Sequence, residues 1–511
     1  MDIKDFENKK VLIFGLGILG GGVASVKFFS KIKGVKLRIT DLKSKKDLAE
    51  SLKKIKDIKA EYVFGKHRKE DIDWADVVVV NPGVGINNEF VKYAFEKKKI
   101  VVNDLFLFFN LAKGDIIAIT GTRGKTTISN WIYHFLKNGL ENKKVYLGGN
   151  QPENPLLKIL PKVKNGIVVI EVSSFQLEFC NKKIEKNLPK IAIITNIYPD
   201  HLNRYKTMKN YIKQKTNIFL NQGKNDYLIL NKDNKWTDYI LKFKPKSKVL
   251  FVSKKKIKND GIYLKNNFLY IRLNKKERKV FGVKDFLEKY GEHNLYNLMN
   301  AILSAYILNV PINKIKKLIN SLPQVRFRQE IIYKDKNLMI VNDSSATSPE
   351  ATIQAIERFK DKNLILITGG TDKNLDFKNL AKEIKKYIKP ENLILLNGSA
   401  TKKLIEELRK IKYKIKEENI FEELKEAVHH ACLPVRQGLT PILTQINADK
   451  NIHDNKCDKH PRSSALYPRS SALYPRSSVV LFSPASASFE KFKNEFDRGK
   501  KFNKIVYNFL K

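Results

Sequence analysis

Short runs of branched apolar residues alternate with lysine-rich amphipathic stretches almost from one end of the chain to the other. KKVLIFG (9–15), KLRITD (36–41), ADVVVVNPG (75–83) and KIVVND (99–104) read as buried strands, with helical patterns such as GGVASVKFFSKIK (21–33) between them. The same rhythm restarts at DIIAITG (115–121), GIVVIEVSS (166–174) and KIAIITN (190–196), and again at NLMIVNDSS (337–345), NLILITGG (363–370) and NLILLNG (392–398). Strand-then-helix repetition calls for parallel sheets covered by helices. At 511 residues the chain has room for about three such domains. We therefore expect an α/β protein of three domains: a Rossmann-like N-terminal domain (1–112), a central P-loop ATPase-like domain (113–325) and a Rossmann-like C-terminal domain (326–511).

The net charge of +44 comes from 97 Lys and Arg against 53 Asp and Glu. Such an excess suits nucleic acid, a membrane surface or an anionic small substrate. The lysines are spread along the chain without a concentrated block, which favours a solvated surface over an RNA-binding face. Three cysteines, Cys180, Cys432 and Cys457, are too few and too scattered for a disulfide framework or a zinc cluster. The apolar run VLIFGLGILGGGVASV (11–26) is too short and too glycine-rich to span a membrane. A reduced, cytoplasmic protein fits.

Two glycine loops carry the chemistry. GLGILG (15–20) follows a strand and opens a helix, and Asp41 ends the next strand. That pattern fits a nucleotide diphosphate, with NAD or mere strand–helix packing as alternatives. AITGTRGKTT (118–127) is the sharper signal: backbone N–H groups at a helix start can cradle phosphate, Lys125 can reach β/γ oxygens, and Thr126 can ligate Mg²⁺. Ile119 stands where a full Walker pattern has its first glycine. An NAD dehydrogenase would leave this second loop unexplained. Glu171, and Asp200 with His201, follow later strands and offer hard ligands for the metal. A lone histidine is otherwise a structural one, and Lys215 reads by default as a solvated helix lysine.

In chain order, GLGILGGG (15–22), NPGV (81–84), GTRGKTT (121–127), LGGN (147–150), EVSSFQLE (171–178), TNIYPDHLNRY (195–205), YIKQK (211–215), GEHNLYN (291–297), VRFRQE (325–330), NDSSAT (342–347), GGTDKNLDF (369–377) and SPASASFEKFKN (483–494) resemble the Mur ligase family. EVSSFQLE and SPASASF point to its D-glutamate-adding branch. The resemblance implies an ATP-dependent ligase of peptidoglycan precursor synthesis that forms an amide bond through an acyl phosphate. Gly17, Ile18, Asp41, Gly83 and Asn150 would then hold the uridine-diphosphate substrate. Gly121, Thr122, Arg123, Gly124, Lys125, Thr126, Thr127, Asn294, Asn297, Arg328 and Asp343 would hold ATP. Thr126, Glu171, His201 and a carbamylated Lys215 would serve two Mg²⁺ ions, with Lys125, His201 and Lys215 as the catalytic set. Thr347, Lys373 and Ser488 would hold the D-glutamate carboxylates. Partners are small molecules acted on by a monomer, with no nucleic acid and no membrane span. Arg123, Phe327, Ser345 and the order Glu495–Phe496 depart from the family pattern, which bears on amino-acid selectivity more than on ATP use. The alternatives are a sister amide ligase with another amino acid, a folylpolyglutamate-synthetase-like enzyme, a nucleic-acid binder, or a folded but inactive homologue.

The rhythm breaks at about 432–478, where PRSSALY is written twice and begun again. Proline and serine every few residues oppose a regular helix or central strand. We expect a disordered insertion between the helix FEELKEAVHHA (421–431) and the strand VVLFS (479–483). It would leave the sheet end opposite SPASAS. Each doubling of such a loop costs only about 0.6 kcal/mol, so it can be tolerated. A partner-binding arm, or a disrupted last strand that misplaces Ser488, are the other readings.

Overall fold

Side chains branched at Cβ pack well on a pleated surface covered on both faces, and the runs of Val and Ile become the buried strands. The computed structural model describes residues 1–510 except 151, 182–187, 433–477 and 489. The chain divides into two compact units, Met1–Pro323 and Gln324–Lys511. Among the described residues the strands form three sheets.

The first sheet contains β1 (Lys10–Phe14), β2 (Lys36–Asp41), β3 (Glu61–Phe64), β4 (Val77–Val80) and β5 (Ile100–Val102). Its order is β3-β2-β1-β4-β5, and all its pairs are parallel. The strand order reverses between β1 and β4, so the loops after these two strands diverge around a crevice. GLGILG and NPGV are those loops.

The second sheet, in the same unit, is built from β6 (Lys113–Thr120), β7 (Val145–Gly149), β8 (Lys164–Glu171), β9 (Pro189–Ile194), β10 (Tyr227–Asn231) and β11 (Lys248–Ser253), followed by β12 (Gly261–Lys265), β13 (Phe268–Leu273) and β14 (Lys276–Gly282). The order is β14-β13-β12-β11-β10-β9-β6-β8-β7. β6 lies between β9 and β8, which brings the residues after all three strands to one end. The expected parallel pairing holds from β6 to β12, and β13 and β14 extend the sheet with antiparallel pairs. Only Val280 of β14 is buried, so a lysine-rich edge strand escaped a reading tuned to continuous apolar runs.

In the Gln324–Lys511 unit, β15 (Glu330–Lys334), β16 (Leu338–Asn342), β17 (Asn363–Thr368), β18 (Leu393–Leu396), β19 (Ile420–Phe421) and β20 (Ser478–Phe482) order as β15-β16-β20-β17-β18-β19. β15 is antiparallel to its neighbour, and the other pairs of this sheet are parallel as expected. Phe421 ends β19 rather than opening a helix, and the helix runs over 424–432. The expected insertion falls, except for its end residues Cys432 and Ser478, outside the described residues. β20 is the centre of the sheet: it pairs in register with both β16 and β17, and all five of its residues are buried.

Removing buried methyl groups from this central strand loses transfer energy and leaves a cavity. Leu481→Ala, at a fully buried position, should therefore lower the free energy of opening of β16 and β17 by about 2–5 kcal/mol. Amide hydrogen exchange on the full-length chain measures it.

Candidate active site

The phosphate loop is a strand–turn–helix in which backbone approaches are too close for side chains. β6 ends at Thr120, and the helix Lys125–Gly139 starts after Gly124. Gly121 (φ 141°) and Gly124 (φ 85°) adopt conformations that favour glycine. A Cβ on Gly121 would lie 2.0 Å from Thr195 Oγ1, and one on Gly124 would lie 2.4 Å from Asn297 Oδ1. The loop is laced to the end of β9: Thr122 N–H donates to Asn196 O (2.9 Å), Arg123 N–H to Asn196 Oδ1 (2.9 Å), and Thr195 Oγ1 to Arg123 O (2.6 Å). Thr127 is buried in the first turn of the helix. Asn297 Nδ2 donates to Asn294 Oδ1 at 2.8 Å, so both expected adenine-side asparagines stand beside this loop.

The residues expected around the metal gather at the same sheet end. Thr126 Oγ1 donates to Glu171 Oε2 at 2.8 Å. Lys125 Nζ donates to the carbonyls of Gly121 (3.1 Å) and Thr122 (3.0 Å). Lys215 Nζ donates to the same Gly121 carbonyl at 3.0 Å. Its default reading as a solvated lysine is wrong: it is 2 % exposed, because its helix, Met208–Thr216, turns this position into the core. Burial, and next the charge of Lys125, hold the Lys215 amine well below the usual lysine range, against the opposing pull of Asp200 and Glu171. His201 sits at φ 54° with Nε2 3.5 Å from Asp200 Oδ2 and its ring 4.7 Å from that of Phe175. Among the described residues no three His, Cys, Asp or Glu side chains converge as a ready metal site.

The first crevice is built on main-chain bonds. The Asp41 carboxylate accepts from Gly17 N–H and Lys43 N–H, each at 2.8 Å, and so fixes the glycine loop. Ile18, at the tip of that loop, is 42 % exposed. The Gly83 carbonyl accepts from Arg204 Nη1 at 3.2 Å. Asn150, exposed at the end of β7, donates its N–H to Glu171 O at 2.8 Å.

In the second unit, the segments after β16, β17 and β20 share one end of the sheet. Thr371 and Ala487 exchange main-chain bonds (3.2 and 3.0 Å), which sets Ser488 beside the turn that carries the exposed Lys373. Sequence reasoning missed Arg498. It is 1 % exposed and donates to Ser344 Oγ (3.1 Å), Ser344 O (2.8 Å), Ala487 O (2.9 Å) and Ser486 O (3.1 Å), tying NDSSAT to SPASASF. Thr347 is half-buried on the first of these segments, and Arg328 is exposed just before β15. Asp343 accepts from Gln329 N–H (3.0 Å) and Ser483 Oγ (2.9 Å). Burial nevertheless pushes its carboxyl up to about 7. The Ser345 hydroxyl is buried with no hydrogen-bond partner among the described residues, and the rings of Phe327 and Phe496 meet edge-on at 6.3 Å.

Comparison with known proteins bears on the family and the fold. Residues 119–305 match the Mur ligase middle domain, and residues 9–103 match the MurD-like N-terminal domain of Mur ligases. The chain is 33% identical to the UDP-N-acetylmuramoylalanine–D-glutamate ligase of Borreliella burgdorferi (strain ZS7), over 99% of this chain and 100% of that one. It is 34% identical to the ligase of the same name from Clostridioides difficile (strain 630), over 88% and 96%. In fold it resembles a pseudomurein peptide ligase type C from Methanothermus fervidus (18% identity, TM-score 0.51, 98% and 100% covered). It also resembles an Acinetobacter baumannii UDP-N-acetylmuramoylalanyl-D-glutamyl-2,6-diaminopimelate–D-alanyl-D-alanyl ligase (13%, 0.53, 92% and 90%).

Two outcomes follow from this geometry. Gly124→Ala forces a left-handed alanine against Asn297, so ADP should bind at least about tenfold more weakly by calorimetric titration, a loss of about 1.4 kcal/mol. Asp343 binds its proton more tightly folded than unfolded, so the stability it contributes is greatest at low pH and is lost as pH rises toward about 7. Denaturation across that window should show a decline that Asp343→Asn flattens.

Proposed function

The chain belongs to the Mur ligase family and is an ATP-dependent acid–amino-acid ligase, and we propose that the residues gathered at these sheet ends divide its work as follows. The first crevice, with Gly17, Ile18, Asp41, Gly83 and Asn150, receives UDP-N-acetylmuramoyl-L-alanine. The phosphate loop, Gly121 to Thr127, receives ATP, with Asn294 and Asn297 toward the adenine and Arg328 and Asp343 contributing from the C-terminal domain. Thr347, Lys373 and Ser488 receive D-glutamate. In this reading the domains run 1–112, 113–325 and 326–511, and the enzyme works as a cytoplasmic monomer on small molecules. Among the described residues no helix is long and apolar enough to cross a membrane.

The L-alanyl carboxylate attacks the γ-phosphorus, ADP leaves, and an acyl phosphate forms. Lys125 neutralises charge that develops on the transferred group. The D-glutamate amine then attacks the acyl carbon and loses a proton as phosphate departs, leaving the amide. His201, whose ring stands 6.2 Å from that of Tyr211, itself within hydrogen-bond reach of Thr122 in the phosphate loop, would serve the amine in this step.

The observation that carries the reading is that Lys125 and Lys215 share the Gly121 carbonyl while Thr126, next to Lys125 in the chain, bonds to Glu171. Thr126 and Glu171 supply adjacent hard oxygens of the kind Mg²⁺ prefers. Lys215 is buried where its amine is held well below the usual lysine range, which favours the neutral form, whose nitrogen can add to CO₂ and release a proton to give a carbamate. That anion would pair with Lys125 and, with His201, would complete the donors for Mg²⁺. Mg²⁺ held there would shield the phosphate oxygens during transfer.

ATP-dependent phosphate release by the full-length chain with UDP-N-acetylmuramoyl-L-alanine should occur with D-glutamate and not with L-glutamate or L-lysine. Lys215→Ala should cut it by about a hundredfold or more. Release with a different amino acid alone would move the chain to a sister ligase.

A further inference from the structure

EVSSFQLE and TNIYPDHLNRY each end in a residue with no role in the assignments above, Glu178 and the pair Arg204–Tyr205. The fold joins them. Arg204 Nε and Nη2 donate to the two oxygens of Glu178 at 2.8 and 2.7 Å, a bidentate pair that is 18 % and 3 % exposed. Tyr205 Oη donates to Glu178 Oε1 (2.8 Å), and Ile86 N–H donates to Glu178 Oε2 (3.1 Å). The remaining reach of Arg204 goes to the NPGV loop: Nη1 to Gly83 O (3.2 Å) and Nη2 to Val84 O (3.3 Å). The guanidinium lies 4.0 Å over the Phe175 ring, the same ring that faces His201. The Arg204 N–H also donates to the His201 carbonyl at 3.0 Å, inside the turn that holds His201 at positive φ.

One guanidinium therefore grips the loop at the mouth of the first crevice, while its own backbone sets the turn of His201. A buried ion pair alone contributes little, because the cost of desolvating its charges offsets the attraction. This one is further bonded by main-chain groups of Gly83, Val84 and Ile86, in the loop of the other sheet, and by the Tyr205 hydroxyl, which is what a coupling element requires. A lysine would keep the charge but not the planar fork that reaches carboxylate and carbonyls together.

We propose that Arg204, held by Glu178, is a positioning residue that links the 81–86 loop of the sugar-nucleotide crevice to the seat of His201. The proposal rests on the assignment of that crevice to UDP-N-acetylmuramoyl-L-alanine. Substrate bound against the loop would then stiffen the His201 turn, and loss of the latch would loosen the loop without disturbing the phosphate loop.

The test is calorimetric titration of the full-length chain with UDP-N-acetylmuramoyl-L-alanine and, separately, with ADP, for the wild type, R204A and R204K. The latch predicts at least tenfold weaker sugar-nucleotide binding by R204A, ADP affinity within twofold of wild type, and an intermediate value for R204K. In turnover, the KM for the sugar nucleotide should rise while the KM for ATP holds. Equal losses of both ligands, or no loss of either, overturn it. If R204A fails to fold, E178Q carries the same expectation, since it removes the carboxylate that orients the fork. A wild type that binds ADP but not the sugar nucleotide would sink the crevice assignment and the latch with it, a result distinct from failure of the latch alone.

Discussion

Lys125 and Lys215 both donate to the carbonyl oxygen of Gly121, and the site is arranged around that shared acceptor. Their nitrogens each lie within 3.1 Å of it and are therefore at most about 6 Å apart. Two full positive charges at that separation repel by roughly 3 kcal/mol at an effective dielectric constant of about 20. Lys125 stays near solvent at the head of its helix, whereas Lys215 is buried. The cheaper solution is to leave Lys215 uncharged, which its environment favours. A buried amine held toward its neutral form can act as a nucleophile toward CO₂, which is the role proposed for Lys215.

Sheet topology brings these groups together. β6 runs between β8 and β9, so Gly121, Glu171 and Thr195 issue from adjacent strands at the same end. The loop could not take this path with side chains at Gly121 or Gly124. In the second unit the same principle puts Asp343, Thr371 and Ser488 at one sheet end, with Arg498 bonding to two of the three segments. Open α/β sheets place their ligands at the carboxyl ends of strands, and nearly every residue singled out in the sequence is found there.

The strands with continuous branched residues and the strand–glycine–helix loops were legible, because their physics is local. β14 was not, since six of its seven residues are at least partly exposed and four of those are Lys, Glu or Arg. The depth of Lys215 was not, because YIKQK carries no mark of which lysine turns inward. The fork of Arg204 on Glu178 and the NPGV loop spans separations of 26 and about 120 residues, and only the folded sheet order creates it. The site's composition was thus readable, whereas its second layer of support came from tertiary structure.

Activation of the carboxylate by phosphoryl transfer at this site is the step on which the proposed function turns. It is tested most directly by placing a heavy-oxygen label in the L-alanyl carboxylate of UDP-N-acetylmuramoyl-L-alanine and analysing the released phosphate by mass spectrometry after turnover with ATP and D-glutamate. Phosphate leaving the acyl phosphate carries one carboxylate oxygen with it, so labelled phosphate should appear in proportion to the amide formed. Amide formed with unlabelled phosphate would contradict it.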